Sequence, residues 1–210
     1  VQTCALPISG YVVMTTLGRG LPGGAASWSS GFLPTVYTGV RFRSQGDPIL
    51  NVSSPPGVDD ELQRDTFELI NDLNRKQLAR VGDPEIATRI AAYEMAYRMQ
   101  TSAPDLIDLS DETRETLDLY GVDPQRPNFA RDCLLARRMV ERGVRFVQLS
   151  LGDWDHHGNI FRDFPPLCRE MDRPIAALVN DLKRRGLLDE TLVIWGGELD
   201  RKSTRLNSSH

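Results

Sequence analysis

The stretch that most constrains the fold lies in the last third of the chain. Val144-Arg-Phe-Val-Gln-Leu-Ser-Leu151 is a strand-like apolar run. A polar loop follows, Gly152-Asp-Trp-Asp-His-His-Gly-Asn159. A helical pattern then runs to about Arg185, through Leu167, Met171, Ile175, Leu178, Val179 and Leu182. Gly186 stops it, and Leu187–Glu190 links to a second apolar run, Thr191–Trp195. Strand, loop, helix, turn and strand form a βαβ unit spanning 144–198. Such units are almost always right-handed with parallel strands, and strands this apolar suit a sheet covered on both faces. The expected fold class is therefore α/β.

Upstream, Tyr11–Thr16 reads as another strand. From Leu17 to about Pro56 the chain is rich in Gly, Ser and Pro and reads as one long irregular segment. Residues 59–142 read as helix-rich. One helix spans Asp59 to about Val81, and Gly82-Asp83-Pro84 stops it and starts the next. The second runs to about Thr101. A third opens at Ser110 and closes near Tyr120-Gly121. A fourth covers about Asn128–Arg142, with Gly143 as its stop. Cys133 lies on that helix's apolar face and reads as core, and Cys168 sits in a helix with no partner motif. Arg137, Arg138 and Arg142 read as a solvated face.

Both ends read as foreign to the fold. Val1–Ile8 and Leu199–His210 resemble translated sequencing-adapter read-through at the ends of metagenomic gene fragments. On that reading 9–198 is a fragment of one larger domain, cut at both ends. The 210 residues carry 25 Lys+Arg against 29 Asp+Glu, a net charge of −4. That leaves no basic excess for a nucleic-acid footprint. No apolar run approaches the roughly 18–20 residues of a membrane span.

In open α/β sheets, ligands bind beyond the carboxyl ends of the strands. Asp153, Asp155, His156 and His157 follow one expected strand there, and Glu198 follows the other. The chain has three histidines, and two of them fall in this one loop. Carboxylate with imidazole is a suitable first shell for zinc, manganese or related ions. Asp155 and His157, two apart in an irregular loop, can face one point, and Asp153 and His157 can do so across a turn. Gly196-Gly197 allows close backbone approach before Glu198. Trp154 and Trp195 read as packing residues. No G-x-S-x-G elbow is present.

Three segments together resemble a known family: Asn128–Leu149, Trp154-Asp-His-His-Gly158 and Asp181–Glu198. So do Gly31–Pro34, Phe42–Pro48, Gly82–Ile90 and Glu94–Pro104. They are similar to family 1501 of the domains of unknown function, a relative of sulfatases and alkaline phosphatases. The resemblance implies part of a three-layer α/β/α sandwich carrying a helix-rich insertion. It also implies two divalent metal ions, zinc, manganese or similar, with an ester of a small molecule or polysaccharide as substrate. The family's Trp-Asp-x-His loop matches Trp154–His157, which makes Asp155 and His157 ligands of one metal. Its Gly-Gly-Glu-Phe-Gly-Arg motif matches Gly196-Gly197-Glu198, then breaks at Leu199-Asp200-Arg201. Glu198 becomes a ligand of the second metal, with Asp153 and His156 behind the ligands. The nucleophile is expected outside this segment, so the chain alone should be inactive. Family members often begin with a twin-arginine signal, which implies a bacterial protein that is exported or periplasmic. The alternatives are a non-catalytic exported binding domain and a metal-dependent phosphomutase.

Overall fold

A computed structural model describes residues 10–16, 23–34, 37–43, 46, 48–49, 57–123, 125–152, 154, 156 and 158–197. Among these, three strands form one parallel sheet, and five α-helices complete the element order. β1 is Tyr11–Thr15, β2 Val40–Phe42 and β3 Phe146–Ser150. The sheet order is β2-β1-β3, with Val12 opposite Val40 and Thr15 opposite Ser150. All three carboxyl ends therefore lie along one edge. Val12 and Met14 are buried on one face of β1 and Val13 on the other, as the apolar run of a central parallel strand requires.

The helices are α1 Asp60–Val81, α2 Pro84–Ile107, α3 Arg114–Tyr120, α4 Phe129–Glu141 and α5 Ile160–Arg184. Their starts follow from side chains that take up free backbone N–H groups. Asp59 accepts from the N–H of Leu62 at 2.8 Å, Thr113 from Thr116 and Asn128 from Arg131. Gly82, at φ 72°, closes α1 in the left-handed conformation that glycine adopts without strain. The core joins Val12 and Met14 to Phe42, Leu106, Tyr120, Leu134, Leu135, Met139 and Ala177. Cys133 is fully buried in it, and burial pushes its thiol far above the ordinary range. Among the described residues of the first two helices, only those of α2 join this core, through Ala103 and Leu106.

Four differences from the sequence reading stand out. The Gly-, Ser- and Pro-rich segment contains a strand, β2, held by its ladder to β1. Helix α2 continues through Pro104 to Ile107. Its last carbonyls are held by arginines from α4: Arg131 Nη2 donates to Ile107 O at 2.9 Å, and Arg138 Nη2 to Asp105 O at 3.0 Å. The run Thr191–Trp195 forms no strand. It pairs with nothing in the sheet, and Leu192 and Trp195 are 84% and 77% exposed. The βαβ unit is thus only a βα unit here, and Trp195 is no packing residue.

The fourth difference concerns the arginines of α4. Arg137 and Arg138 are buried rather than solvated. Their guanidinium groups meet Glu112 and Asp181 from other parts of the chain and, for Arg137, Glu141 one turn on in the same helix. Glu112 lies 2.7 Å from Arg137 and 2.8 Å from Arg138, and Glu141 lies 2.7 Å from Arg137. Asp181 of α5 completes the set, also bonding Arg185 and accepting from the Tyr120 hydroxyl at 3.1 Å. Burying charge is costly unless it is paired, and helical spacing alone cannot show Glu112 and Asp181, which come from so far along the chain.

Candidate functional site

The loop singled out by sequence leaves the carboxyl end of β3 at Ser150 and enters α5 at Ile160. It therefore sits on the edge where β1 also ends, since Thr15 is in register with Ser150. Asp153, Asp155 and His157 in this loop, and Glu198 at the far end, lie outside the described residues. Among the described residues, no three His, Cys, Asp or Glu side chains gather as a metal-binding group.

Trp154 and His156 are described. Both turn toward α5, where Phe164 meets the Trp154 ring at 5.9 Å and the His156 ring at 6.0 Å, each edge to face. His156 is half-buried, and its Nε2 is enclosed without a hydrogen-bond partner among the described residues. Such an atom is costly to leave unmatched. Asp163, in the first turn of α5, is held below the usual carboxylate range. The bond from Arg162 is the main cause, and the charge of His156 adds to it. Asn159 opens α5 at φ 49°, the one non-glycine residue in the left-handed region among those described. Short polar side chains tolerate that conformation best.

Sequence reasoning did not single out a second polar group at the same edge. Thr16, just past β1, donates to Asp132 Oδ2 at 2.7 Å, and both are buried. Arg41 of β2 donates from Nη2 to Thr15 Oγ1 at 3.2 Å. The visible signal was a charged residue inside the apolar stretch around Cys133-Leu134-Leu135. Its meaning depended on a partner more than a hundred residues away.

The sheet and its edge define the class: an α/β protein whose parallel strands end in a loop carrying carboxylates and imidazoles. The chain belongs to the family described as "Protein of unknown function (DUF1501)", which it matches over residues 3–209. That span takes in most of the residues expected to be foreign ends. No curated protein and no solved structure matches the chain. Among the described residues, no helix is long and apolar enough to cross a membrane.

Proposed function

We propose that this protein belongs to the machinery of metal-dependent phosphate- or sulfate-ester hydrolysis. On this reading the sheet is part of a sulfatase-type α/β/α sandwich, and the protein is exported or periplasmic. The observation that carries the reading is the position of the 152–159 loop. It follows β3 directly, on the edge where a parallel sheet presents its ligands. Burial of both faces of β1 supports the layered architecture.

The donor chemistry suits divalent ions. Asp155 and His157 would hold one and Glu198 a second, and such ions polarise an ester oxygen and offset charge on the leaving group. His156 has an unmatched ring nitrogen in the same loop, so it can orient a neighbouring ligand or a water. Phe164 limits where that ring can turn. Arg41 places a cation at the edge, which suits an anionic ester.

The test is metal content and turnover of aryl phosphates and aryl sulfates by the purified protein, compared with its Asp155→Ala and His157→Ala variants. Loss of bound metal and of turnover in both supports the assignment. Wild-type metal and rate in both variants would sink it.

A further inference from the structure

Helix α1 carries an apolar stripe that nothing among the described residues covers. Leu62, Leu69 and Leu73 are 51%, 61% and 57% exposed. With Thr66, Lys76 and Arg80 they follow one line at alternating steps of four and three, the spacing of a helix–helix seam. This is not the line that packs on α2. That contact uses Phe67, stacked on Tyr97 at 4.5 Å, and Gln63, bonded to Gln100. Single exposed leucines are ordinary, whereas three on one seam form a patch.

Charge along the same helix is sorted by half. Asp59, Asp60, Glu61, Asp65 and Glu68 stand against Arg64 in the first half, and Arg75, Lys76 and Arg80 against Asp72 in the second. A parallel partner of the same sequence would set acid on acid. An antiparallel partner sets acid on base. We propose that α1 is a self-association surface, pairing antiparallel with α1 of a second copy of this chain about a two-fold axis. In the register that places Leu69 against the second copy's Leu73, and the reverse, Glu61 comes beside Arg80 and Asp65 beside Lys76. Such an interface is isologous, with each contact made twice.

Two helices of about 33 Å in contact cover less than the ~800 Å² per partner of a standard stable interface. The dimer is accordingly concentration-dependent rather than obligate. Its long charged side chains can lay their aliphatic stems over the leucines at the seam's ends.

The test is sedentation-style mass measurement of the 210-residue chain across a dilution series, by analytical ultracentrifugation. The wild type is expected to double in mass as concentration rises. Two charge variants make the test specific: an acidic one, Lys76→Glu/Arg80→Glu, and a basic one, Glu61→Lys/Asp65→Lys. Each should stay monomeric alone, and an equimolar mixture should dimerise. Leu69→Glu should abolish association while leaving the circular dichroism spectrum unchanged. A wild type that is monomeric throughout overturns the proposal, leaving the stripe to some other partner. So does a dimer that survives Leu69→Glu, or charge variants that associate as well alone as mixed.

Discussion

Arg137 on α4 and Asp181 on α5 form a buried ion pair, with Nε 3.2 Å from Oδ2 and the side chains 3% and 1% exposed. The Arg137 N–H is not aimed for a hydrogen bond, so at this contact the attraction is between charges. Asp181 also serves Arg184, Arg185 and Tyr120. Removing the carboxylate takes one of three carboxylates from the buried Arg137 guanidinium, leaving Glu112 and Glu141, and removes the acceptor of the buried Tyr120 hydroxyl. Asp181→Ala is therefore expected to cost about 1–3 kcal/mol, the range for leaving a buried polar group without its partner, read as a lower urea midpoint. A change within 0.5 kcal/mol, the size of an ordinary surface substitution, would show that water reaches the pair.

The same network sets a pH dependence. Burial alone would raise the carboxyl groups of Glu112 and Asp181. The arginines overcome it, Arg137 and Arg138 at Glu112 and Arg185, Arg184 and Arg137 at Asp181, so both groups titrate below their ordinary values. Unfolded, they take up protons near pH 4. Their contribution is fully present above that range and is lost as pH falls through the lower, folded values. Urea midpoints measured from pH 7 down to pH 3 should fall steeply below about pH 4–5. The fall should be shallower in Asp181→Asn.

Gly39 touches the Tyr11 ring. A methyl group added there would sit 2.7 Å from the ring's Cε1. Tyr11 cannot swing away freely, because its hydroxyl donates to Gln148 at 2.6 Å and its ring meets Phe146 edge-on. Gly39→Ala should cost about 1–3 kcal/mol, the range for overfilling a packed site. In a Tyr11→Ala background the same change should cost almost nothing. A double-mutant cycle reads the difference, and an equal penalty in both backgrounds would place the strain elsewhere.

Trp154 directly precedes the candidate ligand Asp155 in sequence and stands against Phe164 in space. Zinc added to the metal-free protein should therefore change tryptophan fluorescence. The change should vanish in Trp154→Phe and be lost or much weakened in His157→Ala. A response that persists unchanged in His157→Ala would put the metal elsewhere.

Much of the fold was legible where the signal is local. Asp59, Gly82, Asn128 and Gly121 mark helix ends through bonds made within a few residues, and sequence spacing shows such bonds. Strand β2 was not legible, because three residues among glycines and prolines carry no period, and its ladder lies with β1 some thirty residues earlier. The passage of α2 beyond Pro104 depends on arginines of α4, again a distant cause. The buried pairing of Arg137 and Arg138 failed for the same reason, since a charged helical face looks identical whether water or carboxylates meet it. At the candidate site, the loop's place on the carboxyl edge was legible. The Thr16–Asp132 bond beside it was not, being set by packing across the core.

Arg131 and Asp132 are neighbours on α4, yet one holds the end of α2 and the other holds the end of β1. Both arginine bonds to α2 lie in its last turn, at Asp105 and Ile107. A shift of that end would reach Arg131, the residue adjoining the one that fixes Thr16. Two consecutive side chains thus form a short path from the end of α2 to the sheet edge where the strands end.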